Sequence, residues 1–428
     1  MECSLHCSLA TADGSRKETI EATAVLEDES LRLLGQAGRE ETIDLRQIAG
    51  IEARDRSIRL TMGDGSGLVL DRLTGRQDEL LKGICKKKNA LALQDLLSGE
   101  IQRMREVDGE IRRPSPAGAP GALEKCELRV YRDGIIVIPE RSELLRLPVS
   151  RLASVGVEKY SLAIRLDDGR CVAISKLGRE LEPTRKAIAD SLADCRLRSL
   201  ALLRDLLSES TTAELEPWAR ATANGKVVKL ADLEAGLTGA TGAIGHRLED
   251  AGLGEQCRHL SLIGSGEKSR VGLRRRVRGR DSTDDIWTLV PIVSTCDGKA
   301  GNAIALEGTD EAQPTHATYF FRIVSRESFR SSGGVIDESD LERAMDATGR
   351  ALESIDFRRE PFALTEEELA HPERANLRHI LNLVPGLREL RQRFIGRVVH
   401  SSLERWAERT EELLRFNVSA LRDDEILA

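Results

Sequence analysis

The chain has 428 residues, enough for two to four domains of roughly 100–200 residues each. Charged residues make up 32% and hydrophobic ones 40%, and 64 Lys+Arg stand against 71 Asp+Glu for a net charge of −7. That balance excludes a generally basic, nucleic-acid-coating protein and leaves room only for a local basic patch. No apolar run approaches the ~20 residues needed to span a bilayer, and Met1-Glu2-Cys3-Ser4-Leu5-His6 carries an acid and no basic segment. A cytoplasmic protein without integral membrane association is expected. The eight cysteines are scattered, as buried thiols in a reducing compartment would be, and Cys3, His6 and Cys7 lack a fourth ligand at metal-site spacing.

The first half repeats itself. Ile48-Ala49-Gly50-Ile51, Ser57-Ile58-Arg59-Leu60, Asp64-Gly65 and Leu73 return 104 residues later as Leu152-Ala153-Ser154-Val155, Ser161-Leu162-Ala163-Ile164, Asp168-Gly169 and Leu177. Upstream, Val25-Leu26-Glu27-Asp28 matches Val130-Tyr131-Arg132-Asp133 at an offset of 105, and downstream Asp95-Leu96-Leu97-Ser98 matches Asp205-Leu206-Leu207-Ser208 at 110. Growing offsets imply small loop insertions. Apolar/polar alternation over 57–62 and 161–166 predicts half-buried strands, and the Asp-Gly pairs predict the turns. Glu29-Ser30 and Asp133-Gly134 predict an earlier hairpin. Each copy closes with a helix: one from Asp78 to about Leu97 with apolar Leu80, Ile84 and Leu91, the other from Pro183 to about Leu207. The stretch from Arg113 to Gly121, rich in proline and glycine, is expected to link the copies.

Six or seven antiparallel strands covered by one terminal helix resemble the pleckstrin-homology-like (PH/GRAM-like) superfold. The likeness rests on the strand order over 31–51 and 136–155, the Asp-Gly hairpins and the terminal helices, and it covers residues 1–105 and 123–210. Neither helix carries the tryptophan usual in the eukaryotic form. Repeated modules without a catalytic set usually work by binding; at the level of fold, tandem modules of this kind resemble those of archaeal taxis adaptors and some histone chaperones, although fold does not fix function.

Beyond residue 210 the texture changes, and eleven of the 13 aromatic residues lie from Trp218 onward. Gly236, Gly239, Gly242 and Gly245 recur every three residues, a spacing that fits neither a dinucleotide fingerprint nor a P-loop. Gly264-Ser265-Gly266-Glu267-Lys268-Ser269 is no Walker motif either, because Glu267 interrupts it. Strands are predicted at 286–290, 302–307 and 317–323, then a helix from Glu338 to about Ile355. Thr365-Glu366-Glu367-Glu368 opens a helical region in which Leu377, Ile380, Leu381, Leu387, Leu390, Phe394, Val398 and Trp406 form an apolar stripe. The expected class is α+β: a module at 1–108, a linker at 109–122, a second module at 123–210, a Gly-rich and basic connecting region at 211–284, an α/β region at 285–360 and a helical region at 361–428.

The strongest charge feature is Lys268, Arg270, Arg274, Arg275, Arg276, Arg278 and Arg280, seven cations within thirteen residues. Such a run suits phosphate oxygens, but Asp281, Asp284 and Asp285 follow at once and would balance it. Lys86-Lys87-Lys88 is expected on a solvated helix face. The seven histidines are isolated from one another in sequence, and no nucleophile–base or metal-spaced set stands out. The expectation is therefore a non-enzymatic adaptor or scaffold that binds a protein partner through its duplicated modules and needs no cofactor. The alternatives are nucleic-acid association through the Lys268–Arg280 run, and an enzyme whose site is assembled between domains.

Overall fold

A computed structural model describes residues 2–10, 16–35, 39–54, 56–73, 75–96, 101–114, 120–278, 281–293, 301–309, 316–354 and 360–419. The fold is α+β and divides into two compact units, residues 1–193 with 364–385, and residues 194–363 with 386–428.

The first unit holds both copies of the repeat. Strands β1 (Glu2–Ala10), β2 (Arg16–Leu26), β3 (Ser30–Gly35), β4 (Glu40–Asp44), β5 (Ile48–Arg54), β6 (Ser57–Met62) and β7 (Gly67–Asp71) form an antiparallel sheet in the order β4-β3-β2-β1-β7-β6-β5. Helix α1 (Gln77–Leu96) lays Leu80, Leu81, Ile84 and Leu91 on its buried face. The second sheet takes β8 (Val107–Pro114), β9 (Pro120–Val130), β10 (Gly134–Pro139), β11 (Leu145–Pro148), β12 (Leu152–Glu158), β13 (Ser161–Leu166) and β14 (Cys171–Ser175) in the same order, β11-β10-β9-β8-β14-β13-β12. The first half of α2 (Leu181–Leu206) covers it with Ile188 and Leu192.

The register is common to both sheets. Cys7 faces Ile20 and Leu70, and Ile111 faces Glu124 and Ile174. Ser30 faces Asp44 and Gly134 faces Pro148, while Ile51 faces Leu60 and Val155 faces Ile164. Even the irregularity in β5 between Ile48 and Gly50 returns in β12 between Leu152 and Ser154. Every one of these positions is displaced by 104 residues, so the offset is constant across the sheets and reaches 110 only at the helix ends, Leu96 and Leu206, not through loop insertions. The upstream match at 105 is one residue out: Val25 faces Arg32, and its counterpart Arg129 faces Ile136. The two copies depart in length only within the helices, where α2 runs six residues further than α1.

Residues 109–122, expected as a linker, instead supply most of β8 and the start of β9, adjacent strands of the second sheet. Residues 115–119 lie outside the described residues. Proline is tolerated there because Pro114 and Pro120 face each other at the end of the ladder. Lys88 departs from the solvated-face expectation as well. It is fully buried on α1 and paired with Glu143 of the β10–β11 loop, next to Asn89, which donates to the Ser142 carbonyl at 3.0 Å and accepts from the Leu144 amide at 2.9 Å. These bonds hold the second module against the helix of the first.

The second unit begins within α2 and continues through α3 (Thr212–Ala221), β15 (Val228–Lys229), α4 (Leu230–Gly236), α5 (Ala240–Asp250) and α6 (Gly254–Ile263). Thr211 and Glu214 cap α3 reciprocally. Of the glycines spaced by three, Gly236 is the tightly packed one, since a Cβ there would sit 2.4 Å from the Trp218 ring. The sheet then runs β16 (Arg270–Arg278), β17 (Asp281–Ile292), β18 (Ala303–Gly308) and β19 (Ala317–Arg322). After α7 (Arg326–Ser331), α8 (Glu338–Ser354) and α9 (Glu360–Ala363) the chain contributes α10 (Glu366–Ala370) and α11 (Ala375–Leu383) to the first unit. It returns with α12 (Pro385–Arg393), β20 (Phe394–Val399) and α13 (Leu403–Val418).

The six strands lie in simple sequential order from β15 to β20, unlike the order in the modules, so this part is not a third copy. The connecting region expected at 211–284 is thus four helices and the first strands of this sheet. Within the C-terminal stripe, Phe394–Val399 is a strand paired with β19 rather than helix, as its β-branched Ile395, Val398 and Val399 favour. Both faces of the sheet are covered. Phe320, Val398, Trp406 and Leu414 pack together with Leu260 of α6, while Tyr319 and Phe321 meet Phe362 edge-on. Among the described residues no helix is long and apolar enough to cross a membrane.

Candidate functional site

The basic run forms β16, and its ladder partner is the acidic start of β17. Arg274 faces Asp285, Arg275 faces Asp284 and Arg278 faces Asp281. Arg274 donates from Nε and Nη2 to Asp285 Oδ2 at 2.9 and 2.7 Å, and Arg276 donates to Oδ1 of the same carboxylate at 2.6 Å. Arg275 grips both oxygens of Asp284 at 2.7 Å and reaches Asp205 of α2 at 2.8 Å. Asp284 is the main cause that raises the Arg275 pKa above its ordinary value; burial opposes it and Asp205 adds to it. Arg270 pairs with Glu342 and Asp346 of α8, and Lys268 with Glu338. Arg280 lies outside the described residues. The side chains of Arg270 and Arg274 are 6% and 3% exposed, so at these positions the run is a charge ladder turned inward rather than a cationic surface.

Histidines isolated in sequence converge in space. The rings of His259 and His400 lie 5.5 and 6.3 Å from that of Trp406, and His316 lies 5.9 Å from His400. Beneath them Glu307, fully buried, accepts hydrogen bonds from Thr318 Oγ1 at 2.5 Å, His400 Nε2 at 3.0 Å and the Gly308 amide at 3.1 Å. Trp406 Nε1 donates to Thr318 Oγ1 at 3.1 Å. Burial pushes the nearby Cys257 thiol up to about 12, with Glu307 adding to the effect, so at neutral pH it is a protonated, weakly nucleophilic group. Among the described residues no three metal-ligating side chains come together. The network joins α6, β18, β19, the residue that follows β20 and α13, and no sequence spacing could have revealed it, because its members come from segments far apart in the chain. A groove of about 450 Å3 between α8 and α12 holds Arg343, Arg350 and Arg393 against Asp346 and Glu389. Its cations are partly spent, Arg343 on Asp340 and Arg393 on Glu389 at 2.7 Å.

The modules differ from each other at their open edges. β4 carries Glu40 and Glu41, β5 carries Glu52 and Arg54, and β11 carries Arg146 and Pro148, all of which discourage strand addition. β12 has no charge or proline from Leu152 to Val157, and Ala153, Ser154 and Val157 are exposed. Among the described residues its sheet neighbour is β13 alone. The hairpin between them turns on two residues, Lys159 and Tyr160, at φ of 47° and 63°. Such a turn ordinarily takes Asn-Gly, because positive φ crowds a Cβ. Here it holds up Tyr160, one of only two aromatic residues before Trp218, at 89% exposure.

No protein-family model matches the chain, and no curated protein matches it.

Proposed function

We propose that the chain is a non-enzymatic adaptor whose duplicated, PH-like modules bind a protein partner, and that the partner meets β12 and the Lys159–Tyr160 tip of the second module. One observation carries this reading: an edge strand that has neither charge nor proline from Leu152 to Val157, and closes on Glu158, leads into an aromatic side chain displayed on strained backbone. Edge strands of this kind offer main-chain hydrogen bonds to an extended segment of another protein, and alternate side chains give specificity. An exposed tyrosine supplies a rigid apolar anchor with a polar tip, and strain that persists at an exposed position marks a site kept for contact rather than stability. The first module's corresponding edge carries Glu52 where the second has Gly156, while Arg54 and Glu158 occupy equivalent positions, so the second module's edge is the less guarded of the two.

The test is capture from a nuclease-treated native lysate with the tagged full chain. A protein retained by the parent chain, lost with Val157→Lys and with Tyr160→Ala, and kept by Val335→Lys on an unrelated exposed valine supports the reading. Partners that leave on nuclease digestion, or that remain bound to both edge variants, overturn it.

A further inference from the structure

The segment 364–385 leaves the second unit's run of chain and docks on the first module. Its Leu377, Ile380 and Leu381 are buried, and α11 lies across α1, β5 and the 3-10 turn Leu45–Gln47. Two polar side chains key it in place. Asn382 Nδ2 donates to the Arg46 carbonyl at 2.9 Å, and a Cβ on Gly63 would sit 2.3 Å from Asn382 Oδ1, so that approach needs glycine. His379, wholly buried, places Nδ1 2.6 Å from Asp95 Oδ2, which also accepts from Arg46 Nε at 3.1 Å. The second module, in the same register, has Ser150 for Arg46, Asp167 for Gly63 and Pro148 for Asp44. The seat therefore exists on one copy alone.

The geometry points to 364–385 as an acid-released strap, held on the first module while His379 is neutral and undocked when the ring takes a second proton. With Nδ1–H bound to Asp95, Nε2 is a buried atom without a hydrogen-bond partner. Protonation would turn it into a buried N–H with no acceptor, beside an added positive charge. The charged groups facing the ring are Asp95 and Lys88 of α1 and Arg46 of the 3-10 turn. Behind them stand Glu29, 2.9 Å from Arg46, and Glu143, paired with Lys88. Burial is the main cause that lowers the His379 pKa; Asp95 opposes it, and Lys88 and Arg46 add to it. A depressed histidine stabilises docking fully above its undocked value of 6.5, and that contribution is lost as pH falls below it. Asp95 is held below its ordinary 3.8, burial opposing and His379 and Arg46 prevailing, so it does not titrate in the same window. Release would uncover a seat on the first module shaped for an amphipathic helix.

Hydrogen–deuterium exchange of the full chain at pH 7.5 and 5.5, scaled for the intrinsic pH dependence of exchange, reads this directly. Exchange in 375–383 should quicken by up to about tenfold at the lower pH, the limit for one proton one unit below 6.5, while β13 and β14 stay protected. Its midpoint should coincide with titration of His379 C2–H in histidine-labelled protein. His379→Gln should abolish the pH response, and Gly63→Ala should loosen α11 at both pH values. Equal protection at the two pH values, a midpoint apart from the His379 titration, or an unchanged response in His379→Gln overturns the proposal. None of these readouts involves a partner, so they stand or fall apart from the adaptor reading.

Discussion

Asp285→Ala is the sharpest probe of the inward charge ladder. Asp285 is 7% exposed and serves two guanidinium groups, of which Arg274 is 3% exposed and Arg276 27%. Arg276 can turn to water, so its share of the loss is about 0–1 kcal/mol, as for an exposed pair. Arg274 cannot, and breaking its buried pair with Asp285 costs up to roughly 3–5 kcal/mol. The sum is governed by Arg274, and for a unit of this size it corresponds to a fall in Tm of roughly 6–20 °C. Urea unfolding measures the change without the screening that guanidinium would add. Replacing the pair together, Arg274→Met with Asp285→Leu, should return most of the loss, because the desolvated charge disappears with its partner. A cost below about 1 kcal/mol for Asp285→Ala would mean that Arg274 reaches solvent, and the ladder reading would fail. The same geometry warns that Arg274, Arg275 and Arg276 cannot be changed together to Glu as a simple test of nucleic-acid binding. The new carboxylates would face Asp284, Asp285 and Asp205, and unfolding would pass for lost affinity.

Tyr160→Asn should raise stability by about 0.5–1 kcal/mol, since asparagine tolerates the left-handed region better, and should at the same time abolish partner capture. Thermal unfolding showing a loss instead would remove strain from the account. Gly65 and Gly169, both at φ 85° with open space at the Cβ position of Gly169, should each lose about 1 kcal/mol on change to Ala, and by matching amounts, if the two copies share one turn geometry. Gly272→Ala, whose Cβ would sit 2.2 Å from the Trp287 ring, should cost roughly 1–3 kcal/mol by overpacking; a neutral result in urea unfolding would show that Trp287 has room to move. In iodoacetamide labelling at pH 8, read by peptide mapping, Cys171 on the surface should react at least about tenfold faster than Cys257, whose thiol is pushed up to about 12. Comparable rates would contradict the burial that causes the shift.

The duplication was legible because strand alternation and Asp-Gly turns are local signals, and β6, β7, β13 and β14 lie where those signals place them. The upstream alignment slipped by one residue because Val25-Leu26 and Val130-Tyr131 look alike as strings. Burial decides the matter: Leu26 and Val130 both face the core, and a one-residue slip would turn one of them outward. The proline-rich stretch misled by composition, since prolines at the end of a ladder read like prolines in a linker. The balance of the arginine run by Asp281, Asp284 and Asp285 was visible in the order of the residues, but not that β16 and β17 would bury it. Lys88 gave no warning, because its partner Glu143 lies on the other module. Glu307, His400 and Trp406 could not be joined from sequence, for their union depends on how five elements pack. The edge strand was legible only as strand; that it is an edge is a property of sheet order.

Two sheets with one register make a controlled comparison that the molecule carries within itself. Backbone is held constant at each pair of equivalent positions, so a difference there records what each copy has been recruited to do. In the first copy Arg46 pairs with Glu29 and Asp95, Gly63 admits Asn382 and Lys88 pairs with Glu143, whereas the same places in the second copy hold Ser150, Asp167 and Leu192. The first copy has thus become framework, answerable to its neighbours for every change. Among the described residues the second copy's 152–160 hairpin makes no such contact, so exchange of that hairpin for another sequence would leave the rest of the architecture in place, and under the proposed function would change the partner.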